Sequence, residues 1–272
     1  MRIAFIGGGH MTTALVGGLL RHGAPVDSVR VADPMPLQLE RLAYEFGVRG
    51  GTDNREVVAD ADLVVLAVKP QDMAGAARGI ARDLAERRTL VVSVAAGIRL
   101  ADLARWLGEG VPLVRAMPNR PALIGAGITA LFAGAGITTD DRVAVERLMS
   151  AAGETVWLDE ESQMDAATAI SGSGPAYFFL LVEALEAAGM EIGLPHETSR
   201  RLAAVTARGA GRMAAESGLE PATLREQVTS KGGTTAAALE VLEAGGLRGI
   251  VRKAVDAAAR RSVELAAQSG MG

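Results

Sequence analysis

The chain has no cysteine, and among its 272 residues it carries only five Phe, two Trp and two Tyr. Without thiols there is no thiolate nucleophile, no Cys-ligated zinc, no iron–sulfur cluster and no disulfide scaffold. The three histidines, His10, His22 and His196, lie far apart in the sequence, so no metal site is expected either. Lysine is scarce, three residues against 25 arginines, and the net charge of -4 is spread evenly along the chain. No basic tail or face announces nucleic acid. The longest charge-free stretch, 121–139, contains Gly125, Gly127, Gly134 and Gly136 and reads as strands and turns rather than a membrane span. Residues 2–20 imitate a secretory signal, with one early Arg before an apolar run. Gly7-Gly8-Gly9-His10 interrupts that run, however, and no small-residue cleavage site with a polar flank follows. A soluble, cytoplasmic protein with no membrane partner is expected.

What the chain has in abundance is glycine, 33 residues, and a hydrophobic content of 49%. Up to residue 160, short β-branched runs alternate with helical patterns. Strands are expected over 2–6, 29–33, 63–68, 90–94, 112–116, 128–132 and 155–158, and the alternation implies βαβ units and a mostly parallel sheet. The run Leu63-Val64-Val65-Leu66-Ala67-Val68 is apolar on both faces, as a strand covered by helices on each side must be. Met11, Leu15 and Leu19, then 37–46 and 140–152, mark helices between the strands. Beyond residue 160 the strand signal stops, and helices are expected over 164–170, 175–190, 195–217, 221–228, 234–244 and 247–267. The fold expected is therefore an α/β domain over 1–160 followed by an all-helical domain over 161–272. The run Tyr177-Phe178-Phe179-Leu180-Leu181-Val182 is apolar all round, which predicts a helix buried on every side and a core completed by a second subunit.

The strand ending at Ile6 runs directly into Gly7-Gly8-Gly9-His10-Met11 and then into a helix. Strand, tight turn and helix in that order form the Rossmann-type cradle, in which N–H groups at a helix N-terminus hold a dinucleotide pyrophosphate. Gly7 permits the turn and Gly9 lets a phosphate approach the backbone. Thr12 departs from the pattern, standing where a third Gly or Ala usually allows helix and strand to pack closely. Asp33 ends the next strand, where a carboxylate accepts hydrogen bonds from adenosine ribose hydroxyls and repels a 2′-phosphate. Its bland alternative is a turn or cap residue ahead of Pro34. Ala67-Val68-Lys69-Pro70 and Ser93-Val94-Ala95-Ala96-Gly97 lie at the carboxyl ends of two further strands, where open α/β sheets place ligands. The small side chains of Ala95, Ala96 and Gly97 let a flat nicotinamide lie on the backbone. Lys69 has a simpler reading as a solvated strand terminus.

Taken together, these motifs resemble Δ1-pyrroline-5-carboxylate reductases, with Arg115-Ala116-Met117-Pro118-Asn119-Arg120-Pro121, Ser171-Gly172-Ser173-Gly174-Pro175-Ala176-Tyr177 and Val228-Thr229-Ser230-Lys231-Gly232-Gly233-Thr234-Thr235 completing the set. Their order and spacing cover nearly the whole chain. His10, Arg120 and Lys231 stand where Asn, Thr and Pro are commoner. The resemblance implies hydride transfer from NADPH or NADH to the C=N bond of 1-pyrroline-5-carboxylate, giving L-proline. It places Asn54 against the adenosine, although that residue's own context, ahead of a helix expected over 56–61, reads as an N-cap. It seats the substrate on Ser230, Gly232, Gly233 and Thr234 and makes Thr235 the catalytic hydroxyl. A glycine-rich turn entering the helix after Thr235 suits a carboxylate, since it exposes N–H groups and the positive end of a helix dipole. The bland reading is that Ser230 and Thr235 only cap that helix. The resemblance also implies a homodimer formed through the helical domain, with a higher assembly such as a decamer.

Two rivals share this layout. A β-hydroxyacid dehydrogenase needs a lysine separated by three residues from its Gly-x-Gly, and Phe178 follows Gly172-Ser173-Gly174 at that spacing. A dinucleotide-sensing protein without chemistry has no use for Ser230, the two glycines and Thr235. Asp33 taken alone favours NADH while the resembled family mainly uses NADPH, and activity with both is expected. Arg30 and Arg41 are the cations nearest to a 2′-phosphate, and strand alternation turns Arg30 away.

Overall fold

The computed structural model describes residues 1–85 and 87–269. Contacts divide the chain into two units, Met1–Ser173 with the segment from Ala258 onward, and Gly174–Ala257.

The first unit is built on eight strands: β1 (Ile3–Ile6), β2 (Val29–Ala32), β3 (Arg49–Gly51), β4 (Leu63–Leu66), β5 (Leu90–Ser93), β6 (Leu113–Met117), β7 (Gly127–Ala133) and β8 (Gly153–Trp157). They form one sheet in the order β3-β2-β1-β4-β5-β6-β7-β8. All neighbours are parallel except β6 and β7. Seven strands match the expected runs, with ends shifted by a residue or two. β3 had no counterpart in the expectation, because three residues with two glycines carry no β-branched signal. Its helices are α1 (His10–Arg21), α2 (Pro36–Phe46), α3 (Asn54–Val58), α4 (Pro70–Ala85), α5 (Leu100–Leu107), α6 (Thr139–Met149) and α7 (Gln163–Ala167), the last running into a π-helical turn, Thr168–Gly172.

All four residues of β4 are 0% exposed, because helices cover both faces of the sheet. Phe5, Leu15, Val65, Val92 and Leu148 form the core on one face. Ile6, Leu66, Ile80, Leu103 and Trp106 form it on the other. Strand order reverses between β1 and β4. The loops leaving their carboxyl ends therefore part at that point and open a crevice, the place where doubly wound sheets bind ligands.

The second unit holds α8 (Gly174–Glu191), α9 (His196–Glu216), α10 (Pro221–Gln227), α11 (Thr234–Ala244) and the first part of α12 (Leu247–Ser269). α8 and α9 pack together. A Cβ at Gly189 would stand 2.8 Å from the Ser199 hydroxyl, and His196 Nε2 lies 2.8 Å from a Glu186 carboxylate oxygen. Phe178, Phe179, Leu180 and Leu181 are 54–66% exposed in the single chain, where no described element covers them, so the burial expected of α8 is left to the second subunit that the same expectation names.

Candidate active site

The crevice is made by glycine at the end of β1. Gly7 has φ +102°, and a Cβ there would stand 2.7 Å from the Ala67 carbonyl oxygen, so only glycine lets the β1 and β4 loops meet. The Gly7 N–H donates to Ala32 and the Ala67 N–H to Ile6, which knits the ends of β1, β2 and β4 into one rim. Thr12, at the position where a small residue was expected, is fully buried and donates its hydroxyl to the Gly7 carbonyl at 2.5 Å, closing the turn. The close approach instead comes two turns later, at Gly18, where a Cβ would fall on the Ala151 carbonyl.

Gly7 and Gly8 are buried, while Gly9 and His10 face solvent and Met11 is half-buried. A Cβ at Gly9 would meet nothing within 4 Å among the described residues, so the protein's own packing does not require glycine there. α1 begins without a side-chain cap, and its first backbone bond back to the loop is Thr13 N–H to Gly9. The N–H groups of His10 and Met11 are left for a ligand at the positive end of the helix. This open, uncapped turn fits a pyrophosphate.

Asp33 does two jobs. One carboxylate oxygen accepts the Gly8 N–H at 2.7 Å, and the other accepts the Met35 N–H at 2.9 Å. The turn role weighed for it is therefore real, and it coexists with a place on the crevice rim. Arg41 donates through Nη2 to the Gly8 carbonyl at 3.1 Å and to the Thr13 hydroxyl at 2.9 Å. Arg30 pairs in register with Ala4 near the start of β1, away from the Gly7 end. Asn54 is the first residue of α3, and the cap is Asp53, whose carboxylate accepts the Arg55 N–H at 2.8 Å. The N-cap reading of Asn54 is thus corrected. Asp53 takes that role because its backbone is extended, and the Asn54 amide is spared. The adjoining strand β3 ends at Gly51, whose carbonyl receives the Asp33 N–H at 3.2 Å, so the Asp33 and Asn54 loops share an edge.

On the β4 side, Ala67, Val68 and Pro70 are half-buried and Lys69 is exposed at the start of α4. On the β5 side, Ala95 and Gly97 are buried and Ala96 faces out. The structure thus brings Gly7–Met11, Asp33, Asn54, Ala67–Pro70 and Ala95–Gly97 to one rim of the sheet.

Ser230, Gly232, Gly233, Thr234 and Thr235 belong to the helical unit. Gly232 has φ +73°. Gly233 caps α11 with no side-chain hydrogen bond, which counts against Ser230 or Thr235 serving as mere caps. Thr235 is half-buried, and among the described residues its hydroxyl makes no hydrogen bond. Its N–H lies in the first turn of α11, where backbone donors are unpaired.

Sequence reasoning quoted Arg115 and Asn119 as motif residues without a role. Arg115, 4% exposed, pairs with Glu161 at 3.1 Å. Asn119 accepts the Ile128 N–H and donates to the Ser171 carbonyl. Gly172 is a close-packing glycine, since its Cβ would meet Met117 at 2.8 Å, whereas Gly174 has no such neighbour within 4 Å among the described residues.

Two family models match the chain. Residues 161–265 match "pyrroline-5-carboxylate reductase dimerisation", and residues 2–97 match "NADP oxidoreductase coenzyme F420-dependent". A pyrroline-5-carboxylate reductase of Pseudomonas aeruginosa is 48% identical over 269 residues, covering 99% of this chain and 98% of that protein. Among solved structures, a pyrroline-5-carboxylate reductase from Coxiella burnetii superposes with TM-score 0.94 at 40% identity, covering 97% of this chain and 98% of its own. A Plasmodium falciparum pyrroline carboxylate reductase with NADP bound gives TM-score 0.85 at 28% identity, with 98% of each chain covered.

Proposed function

Because the chain belongs to the pyrroline-5-carboxylate reductase family, we infer that it reduces the C=N bond of 1-pyrroline-5-carboxylate to L-proline, the closing step of proline biosynthesis, with NADPH or NADH as donor. The observation that carries this reading is that one chain holds both an open dinucleotide turn at Gly9–Met11 and an uncapped helix start at Thr234–Thr235. A reductase needs both, and a cofactor sensor needs only the first.

The reduced nicotinamide supplies a hydride to the imine carbon. An imine, or its protonated form, is already electrophilic, so the protein needs no covalent nucleophile, in agreement with a chain that lacks cysteine. Its residues have four tasks. His10 and Met11 N–H groups hold the pyrophosphate, with Asp33 and Asn54 beside the adenosine ribose. Ala95, Ala96 and Gly97 give the nicotinamide a flat seat, flanked by Ala67–Pro70. The Ser230 and Thr234 hydroxyls and the Gly232 and Thr234 N–H groups take the substrate carboxylate, and Gly233, whose own N–H donates to the Ser230 carbonyl at 3.0 Å, shapes the turn. Thr235 hydrogen-bonds the ring nitrogen as it becomes an amine and relays a proton from water, since a hydroxyl with so high a pKa is a poor acid by itself.

The apolar side chains exposed along α8 support assembly through the helical region, which we read as a homodimer that builds into a higher assembly such as a decamer. The stretch Gln163–Glu191 is long and apolar enough to cross a membrane by length and composition. We assign its apolar face to the subunit interface, which the match to a dimerisation model supports. A cysteine-free reductase has no need of an oxidising compartment, and we place it in the cytoplasm.

The test is steady-state oxidation of NADPH and of NADH with pyrroline-5-carboxylate, with L-proline identified as product. Substrate-dependent oxidation is expected with both cofactors, and none with NAD+ and 3-hydroxyisobutyrate. Cofactor binding without turnover would return the chain to the sensor reading.

A further inference from the structure

The segment on which we seat the nicotinamide has little to hold it from within. The Ala95 N–H reaches the Ser93 hydroxyl only at 3.4 Å, and α5, which follows, begins at Arg99 without a side-chain cap. Its position is set from outside. Glu161, distant in sequence, accepts the Leu100 N–H at 2.8 Å and so supplies the missing cap. The same carboxylate oxygen accepts from Nη1 of Arg115 at 3.1 Å. The Arg115 side chain is 5% exposed, and a buried guanidinium without its partner is costly, so this pair fixes Glu161 in place.

A second tie reaches the same loop from α12. Asp165, one turn beyond Glu161, accepts the Ser262 hydroxyl of α12 at 2.6 Å. The next turn of α12 backs directly onto the loop, where a Cβ on Gly97 would stand 3.4 Å from the Ala266 nitrogen. Gly97 has φ +74°, which other residues rarely adopt. Glu161 at Leu100 and Ala266 at Gly97 therefore hold the two ends of residues 97–100, the Asp165–Ser262 bond ties the chain beyond Glu161 to α12, and Ala96 is left as the outward-facing step of the loop.

We propose that Glu161, locked by Arg115 and backed by the Asp165–Ser262 tie, is a positioning residue that sets the height of the Ala95–Gly97 seat and so the placement of the nicotinamide. The proposal rests on the reading that this segment carries the nicotinamide. Placement matters here because a displacement of about 1 Å between reacting groups costs roughly a hundredfold in rate.

The experiment measures the affinity of Glu161→Ala, Glu161→Gln and Ser262→Ala for two probes, NADPH and 2′,5′-ADP, which is the adenosine half alone. Glu161→Ala is expected to weaken NADPH roughly tenfold while 2′,5′-ADP stays within about twofold. Glu161→Gln, which keeps an acceptor for Leu100, recovers part of the loss. Ser262→Ala removes one hydroxyl, shifts the two probes in the same selective way, and keeps the proposal testable if Glu161→Ala does not fold. Equal weakening of both probes, or unchanged NADPH affinity in Ser262→Ala and in every Glu161 variant that folds, overturns the proposal. Ala96→Phe separates this from failure of the underlying reading. If Ala96→Phe leaves NADPH binding intact, the nicotinamide does not lie there and both fall. If Ala96→Phe blocks NADPH but the other variants do not, only the positioning role falls.

Discussion

Asp33 and Arg41 grip Gly8 from opposite sides, the carboxylate taking its N–H at 2.7 Å and the guanidinium its carbonyl at 3.1 Å. Both charges are thus built into the Gly7–Met11 turn before any ligand arrives. Their effect on cofactor choice then follows from what each still has to offer.

Both Asp33 oxygens already accept backbone N–H groups, so part of the charge that would repel a 2′-phosphate is offset. A kcat/KM preference for NADPH over NADH below about a hundredfold is expected, a gap of roughly 2.7 kcal/mol. Asp33→Asn removes the residual repulsion and should raise the NADPH:NADH ratio. A ratio that falls in Asp33→Asn would show the carboxylate to be no barrier to phosphate.

Arg41 spends Nη2 on Gly8 and Thr13, and its buried Nε has no partner among the described residues. Its work is on the loop rather than on one cofactor. Arg41→Met, which keeps the apolar stem, should raise KM for NADPH and NADH alike, by roughly five- to tenfold for the lost charged hydrogen bonds. A loss confined to NADPH would instead make Arg41 the 2′-phosphate partner.

These contacts mark the limit of what the sequence displays. β1 and β4 were legible because four or more apolar residues in a row must be buried on two faces, and α11 because its start follows two glycines. β3 was silent, since Arg49-Gly50-Gly51 has no strand signature. α4 buries only Met73, Ala77, Ile80 and Leu84 and scatters Gly75 and Gly79 between them, which blurs its period. The Gly7 turn was read correctly, but that Asp33 and Arg41 clamp its neighbour was not, because side-chain to backbone bonds across 25 and 33 residues leave no local pattern. The capping of α5 by Glu161 is hidden for the same reason. The role of Thr235 came from resemblance and not from its own spacing.

Acid stability should depend on Asp141. Arg88 binds it through both carboxylate oxygens, at 3.0 and 2.6 Å, and Thr138 adds its N–H and hydroxyl at the start of α6. Arg88 foremost, then Thr138, holds the carboxyl well below the usual carboxylate range. A carboxyl depressed in the folded state stabilises fully above its unfolded value, near pH 4, and loses that contribution as pH falls toward the folded value. Asp141→Asn should therefore cost about 1–3 kcal/mol at pH 7. The gap to the unaltered protein should narrow below about pH 4. Denaturant midpoints across that range measure it, and a gap that is constant with pH would rule out the charge as its source.

α8 carries Phe178, Phe179, Leu180 and Leu181 in the open, a contiguous apolar surface that a lone soluble chain rarely tolerates. Light scattering at micromolar concentration should give a dimer or a larger species. Phe179→Asp should shift it toward monomer and lower the thermal midpoint, because burying a charge in an apolar interface has no compensating partner. A monomeric mass for the unaltered protein would remove the interface reading.

Thr235 offers the sharpest test of the chemistry, because among the described residues its hydroxyl makes no hydrogen bond while its backbone helps start α11. Thr235→Ala keeps the helix and removes only the hydroxyl. If the hydroxyl relays the proton, kcat should fall roughly a hundredfold, within the range for a positioned proton-transfer group, with KM for NADPH unchanged. Thr235→Ser restores the hydroxyl on a more mobile stem and should recover most of the rate. If Thr235→Ala raised KM for the substrate and left kcat alone, the hydroxyl would belong to carboxylate binding, and the proton would have to come from water without relay.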